Sequence, residues 1–455
     1  MGLLATAWSV VPDLTTRAAL LLPLILLPAI WWTLRQPERW VLLFLVAALC
    51  LPPLPIALGG SGPHPALAAA SIGLLAGLLE WRLRKERVPA ASLWLIVYVL
   101  VLLGSVSFAV LYSGAELAAA SLARVALLGI SVYLFFYTAC GPAESGRELR
   151  RSLRILFAAG VVSAAFACLA FFLQLPAPAG FAPQFVWMES GVYRRAQGFF
   201  YEASTLGNVC AFFLVMVAVC WLRPRHEAPL SRTALAAGGA VLLGALMLSF
   251  SRAAVVNLAV AGLVLVFLNR RRLPVLRLGV IGAVALAAGV AAYFLIPAMA
   301  EFYWIRLEYT LQSLLGGDEA ALSGRLDTWR FLLDFLRRQP EHLLFGVGYK
   351  TLPYSDFLGR AAVADNGYLS SLVETGLVGL ASLLLFHGAI LAMAWRAARS
   401  EDRQAQLLGT WMLCFWAGEM VQMLSGDLLT YWRVVPAYLW VLALAVRHAR
   451  RPAAM

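Results

Sequence analysis

Arginines next to membrane-length apolar runs are the residues in this sequence best placed to do chemistry. Arg252 ends the short stretch Ser249-Phe250-Ser251-Arg252, which leaves too little room for a loop between two such runs, and Arg433 stands at the head of another. A guanidinium at that depth is unfavourable unless it faces a cavity or an anionic partner. Its planar fork gives paired, charge-assisted hydrogen bonds to anionic oxygens, so a phosphate or diphosphate is the natural ligand. Arg195 and Arg325 lie in polar segments that approach the same apolar runs. Carboxylates accompany them. Glu202 lies seven residues after Arg195, just before an apolar run, with Ser204 close by. Asp365 is followed by Asn366 and then by another long apolar segment. A carboxylate so placed can take a proton from a sugar hydroxyl. Simpler roles compete: Gly198 and Ser204 can shape a turn and a helix cap, and Asp365 can be an N-cap.

The scaffold that must hold these groups is read from hydropathy. Of 455 residues, 62% are hydrophobic and 13% charged, against about 25% charged in soluble domains. Thirteen apolar stretches recur, at about 17–34, 38–58, 65–81, 91–113, 119–139, 153–174, 204–222, 233–250, 253–268, 275–297, 367–395, 406–425 and 433–446. Most approach the roughly 20 residues that cross a bilayer. The expected fold is therefore all-α: a single polytopic transmembrane domain over 1–455 with about 12–13 spanning helices. Arg17 followed by the run Ala18–Trp32, with no small-residue cleavage site, reads as a first span rather than a removed signal. The six cysteines lie in or beside apolar runs without a Cys-x-x-Cys pair, as buried small hydrophobes do.

The net charge of +12 points to topology rather than to nucleic acid. Clusters such as Arg82/Arg84/Lys85/Arg87, Arg147/Arg150/Arg151/Arg154 and Arg270/Arg271/Arg272/Arg277 fall in alternate loops, and these loops hold 23 of the 36 Lys and Arg. The positive-inside rule makes them cytoplasmic. Arg195, Arg252, Arg325 and Arg433 are then on the outer side. Two outer loops are long, 174–203 and 298–366. In the second, Leu326, Trp329, Phe331, Leu332, Phe335 and Leu336 recur at helical spacing among arginines. That pattern predicts an amphipathic helix along the outer membrane surface.

Taken in order, the motifs are Arg195-x-x-Gly198 before a helix, Ser251-Arg252 in a tight turn and Arg325-x-x-x-Trp329. Pro340, Gly346-x-Gly348, Asp365-Asn366-Gly367-Tyr368-Leu369 and Glu374-x-Gly376-x-x-Gly379 follow. Over 190–385 this order resembles the O-antigen ligase and O-antigen polymerase superfamily of bacterial membrane glycosyltransferases. The resemblance implies a GT-C-like enzyme of the inner membrane that works on the periplasmic side without metal or nucleotide sugar. Its donor would be an undecaprenyl-diphosphate-linked glycan, and its acceptor lipid A–core or a growing polysaccharide. Arg195, Arg252 and Arg325 would hold the leaving diphosphate, with Arg433, Glu202 and Asn366 binding substrate and Trp329 setting the amphipathic helix over the site. Ligases commonly carry His-Asn where this sequence has Asp365-Asn366, so Asp365 would replace the histidine as base, or Glu202 would take that part. His342 reads as structural. The alternative is a transporter or flippase of lipid-linked glycans, which should show charged residues across the full membrane depth. Glu374 and Glu419 are the few candidates.

Overall fold

A computed structural model of the protein describes residues 31, 39–54, 63–80, 87–141, 145–177, 183–188, 191–270, 308 and 325–450. The chain order is α1 (Arg39–Cys50), α2 (Pro65–Glu80), α3 (Leu93–Ser113), α4 (Ala115–Ala139), α5 (Gly146–Phe172), β1 (Phe185–Met188), β2 (Gly191–Arg194), α6 (Ala203–Trp221), α7 (Arg232–Leu248), α8 (Arg252–Asn269), α9 (Arg325–Arg338), α10 (His342–Phe345), α11 (Gly367–Ala398), α12 (Arg403–Gln422) and α13 (Val435–Ala449). Among the described residues, seven helical segments are long and apolar enough to cross a membrane, those containing α3, α4, α5, α6, α8, α11 and α12; α1, α2, α7 and α13 are shorter apolar helices. Eleven of the thirteen apolar stretches thus coincide with helices. The stretches 17–34 and 275–297 lie outside the described residues, apart from Trp31.

Helices α6 and α12 form the centre and are buried over most of their length. Helix α12 packs against α8, α11 and α13, while α6 packs against α7 and α8. Aromatic side chains fill this centre: Phe212 lies 4.4 Å from Trp411 and 4.5 Å from Tyr438, ring centre to ring centre. Helix α8 keeps most of its surface outward, with Val256, Leu263 and Phe267 exposed, as expected of a face toward lipid.

One departure from an all-helical chain lies in the loop over 174–203. There β1 and β2 pair antiparallel, Val186 facing Tyr193 and Trp187 facing Val192. Alternation explains it: Val186 is buried, whereas Phe185, Trp187 and Val192 are exposed, the period of two that a strand requires. The amphipathic helix also differs in its surroundings. Leu332, Phe335 and Leu336 of α9 are buried in a small second core with Val347, Leu352, Ala362, Ala364 and Val373. Much of the apolar side of α9 is therefore covered by the chain's own loop.

Helix α11 is broken. Gly376 has φ 68° and ψ −168° in an otherwise helical segment. The break leaves main-chain carbonyls of α11 without helical donors. Val347 N–H donates to Val373 O at 3.2 Å and Gly348 N–H to Glu374 O at 2.8 Å. This is the part played by the Gly-x-Gly motif. Gly346 also has positive φ, and a Cβ there would meet the Glu374 carbonyl at 2.4 Å. A Cβ on Gly376 would lie 2.3 Å from the Leu344 carbonyl. Gly376→Ala should therefore destabilise by at least the roughly 1–2 kcal/mol of a left-handed L-residue, with the steric clash in addition. A thermal unfolding scan in detergent checks this; an unchanged midpoint would show that the break tolerates a side chain.

Candidate active site

Helix ends create the site. The last carbonyls of a helix lack intrahelical donors and carry the negative end of its dipole, so a guanidinium suits them. Helix α7 ends at Leu248, and the turn to α8 is made by Ser249, Phe250 at φ 50°, and Ser251. Ser251 caps α8 by accepting from Ala254 N–H. Arg195 reaches this turn and donates to Ser249 O from Nε at 2.9 Å and Nη2 at 2.7 Å. Ala196 N–H donates to Leu248 O at 3.0 Å. The arginine after the hairpin and the Ser-Arg turn are thereby tied together, with Arg252 exposed at the start of α8. Gly207 of α6 allows the approach, since a Cβ there would stand 2.9 Å from Ser251.

Arg433 caps α1 in the same way. Its Nε donates to Ala48 O at 2.8 Å, its Nη2 to Leu51 O at 2.7 Å and its Nη1 to Phe199 O. Leu51 O also accepts from His64 Nε2 at 2.9 Å. Ala66 N–H donates to His64 Nδ1 at 3.1 Å, which fixes the Nε2–H tautomer. Burial and the nearby Arg433 charge lower its pKa to about 4. With both ring nitrogens committed to backbone, His64 is a neutral strut.

Asp365 occupies the left-handed region at φ 46°, a strained position for a non-glycine residue. Its Oδ2 receives Arg325 Nε at 3.2 Å, and its side chain stays 47% exposed. The N-cap of α11 is Asn366, whose Oδ1 accepts from Tyr368 and Leu369 N–H, each at 3.1 Å. Capping is thus not the role of Asp365. Trp329 Nε1 donates to Ala364 O at 2.6 Å, which fixes α9 to the residue before Asp365. Glu202 Oε2 accepts from Ser204 Oγ at 2.7 Å and from Tyr431 Oη at 3.4 Å, and Tyr431 Oη also donates to Ser204 Oγ at 2.9 Å.

These groups share one cavity of about 1320 Å³, lined by Arg195, Arg252, Arg325, Arg433, Glu202, Asp365 and Asn366. Trp329 is not in its wall. The sequence reading gave no cavity position to Arg124, Lys350, Asp427 and Tyr431, which also line it, nor to Glu374. Arg124 and Lys350 were visible only as basic residues outside the topology clusters. Asp427 and Tyr431 left no signal, because their partners are far away in sequence. His342 is buried among Tyr112, Phe335 and Phe357. Among the described residues no group of three or more His, Cys, Asp or Glu side chains gathers to hold a metal ion; Asp365 and Asp427 are each paired with a cation.

The cavity lies at one end of the bundle. Helices α6, α8, α11 and α13 meet it near their starts and α12 near its end. At their opposite ends stand Arg223, Arg270, Arg396 and Arg399, Arg447 and Arg450, and Arg403. A polytopic helical bundle thus carries a cation-lined cavity at one end and its basic clusters at the other. Residues 237–384, under half of the chain, match the family model described as O-antigen ligase, and this match supports the resemblance to the O-antigen ligase and polymerase superfamily. The match includes Arg252, Arg325, Trp329, Asp365 and Asn366, and excludes Arg195, Glu202 and Arg433. No curated protein matches the chain.

Arg433 bonds three backbone carbonyls, and a buried acceptor left without a donor costs about 1–3 kcal/mol. Arg433→Met should lower the unfolding midpoint by several degrees, more than Arg252→Met at the exposed start of α8. Equal midpoints in the two variants would remove Arg433 from a bracing role.

Proposed function

We propose that this protein moves a glycan from an undecaprenyl-diphosphate carrier to an acceptor hydroxyl, on lipid A–core or a growing polysaccharide, within the cavity. The supporting observation is that Arg195, Arg252, Arg325 and Arg433, read from separate motifs, line one cavity. The basic clusters at the far ends of the same helices make that far side cytoplasmic by the positive-inside rule. The cavity then opens to the periplasm of an inner-membrane protein.

In this reading the acceptor oxygen attacks the anomeric carbon. The bond from that carbon to the phosphate oxygen breaks, and its electron pair leaves with the lipid diphosphate. Arg252 and Arg195 neutralise the charge that develops on the leaving oxygens. Such preorganised electrostatics is usually the largest catalytic contribution. Arg195 is already oriented by Ser249 O, so little reorganisation is needed at that side of the site. Asp365 takes the hydroxyl proton. It is favoured over Glu202 because the Glu202 Oε2 already receives Ser204 and Tyr431, whereas Asp365 keeps nearly half of its side chain exposed. Arg325 orients Asp365, and Asn366 fixes the start of α11.

Purified protein in liposomes with an undecaprenyl-diphosphate oligosaccharide and lipid A–core tests this. Product glycan and released lipid diphosphate are the readouts. Arg252→Lys should lower kcat by about 10²–10³, because lysine keeps the charge and loses the fork. Asp365→Asn should lower it by about 10²–10⁴. Wild-type turnover in Arg252→Lys would take that residue out of the mechanism. Full activity in Asp365→Asn with loss in Glu202→Gln would reassign the base.

A further inference from the structure

The cavity wall carries two groups of charges of different balance. Around the α7–α8 turn and the start of α13, the described residues put three guanidiniums in the cavity wall, Arg195, Arg252 and Arg433, together with the carboxylate Glu202. That excess of positive charge suits a diphosphate. The group held by the loop after α9, α11, the end of α12 and Arg124 of α4 is balanced, with Lys350, Arg325 and Arg124 against Asp427, Glu374 and Asp365. There Lys350 pairs with Asp427 and stands 4.0 Å from Glu374, and Arg325 pairs with Asp365.

Lys350 is locked in place. Its backbone adopts φ 58°, and its carbonyl accepts from Arg124 Nη1 at 3.1 Å. Burial lowers the ammonium's pKa, but Asp427 and Glu374 outweigh it and hold the group above the ordinary lysine value. Glu374 is 1% exposed, with the Lys350 backbone and the Ser370 hydroxyl beside its carboxylate. A carboxylate so buried needs a reason, and the nearby Lys350 ammonium supplies one. Asp427 retains 22% exposure and Lys350 11%. Gly367 lets the segment before Asp427 approach the start of α11, since a Cβ there would lie 3.2 Å from Gly426 O.

Resting on the glycosyl-transfer reading, we propose that Asp427 and Lys350 form the acceptor's sugar-binding subsite, with Glu374 as a positioning residue behind Lys350. The ligand class is a neutral, polyhydroxylated sugar ring. Its hydroxyls donate to Asp427 and accept from Lys350. A charge-balanced pair can make both kinds of bond without drawing the anionic donor away from the arginine-rich side. Asp427 and Lys350 thereby select for the acceptor, and the arginines of the other group for the leaving diphosphate.

The test separates acceptor from donor in the full-length protein in liposomes. Acceptor KM is measured with rough lipopolysaccharide and, separately, with a lipid-linked repeat unit. Donor-side affinity is measured with undecaprenyl diphosphate alone. Asp427→Asn should raise acceptor KM about tenfold or more, the scale of a lost hydrogen bond to a charged group, with undecaprenyl diphosphate affinity within twofold of wild type. Glu374→Gln should raise acceptor KM while changing kcat less. Should either single variant fail to fold, the double variant Lys350→Met/Glu374→Gln removes a buried cation and its carboxylate together and should still bind undecaprenyl diphosphate. Weakened undecaprenyl diphosphate binding with an unchanged acceptor KM would overturn the proposal, as would no change in either. A wild-type protein that transfers glycan to no acceptor would instead sink the glycosyl-transfer reading itself.

Discussion

A cation can persist in an apolar helical bundle only if oxygen atoms meet it, and here helix ends supply those oxygens. Arg433 is held by carbonyls at and just past the end of α1, and Arg195 by the carbonyl that closes α7. Neither arginine borrows a carboxylate for these bonds. Holding by carbonyls satisfies orphan acceptors and leaves the net positive charge of the group intact. A guanidinium neutralised by an adjacent carboxylate would attract an anion far less.

The same economy shapes the other side of the cavity. The break at Gly376 frees carbonyls near the start of α11, and Val347 and Gly348 occupy them. The chain then turns so that Lys350 follows directly, beside Glu374 and Asp427. A helix defect, a glycine pair and a charged cluster are thus one local construction. An unbroken α11 would leave the Gly-x-Gly segment without acceptors and Lys350 without its position.

Buried aromatic packing gives these polar elements a rigid base. Trp411 donates to Phe212 O at 2.7 Å, and Tyr438 to Asn208 Oδ1 at 2.6 Å. Asn208 and Asn257 each donate to Glu419, which joins α6, α8 and α12 below the cavity. Glu419, read from sequence as a possible transport residue, thus sits in a network linking three helices. Interhelical hydrogen bonds of this kind hold membrane bundles together where the hydrophobic effect no longer discriminates.

Hydropathy alone determined the helical membrane character, the approximate helix positions and the separation of basic clusters from the remaining arginines. Those properties depend on composition over windows of about 20 residues, and a bilayer imposes them on any spanning helix. Motif order also picked out Arg195, Arg252, Arg325 and Asp365, the last three at or within two residues of a helix start that leaves its mark in the sequence. The hairpin in the loop over 174–203 was missed, since four-residue strands give too short an alternation to stand out. Only the tertiary structure decided that Asn366 caps α11, that α9 turns its apolar side onto its own loop, and that Lys350 meets Asp427 across 77 positions. Such contacts depend on how helices pack in three dimensions, and a linear pattern of residue types holds no record of which distant side chains will face one another.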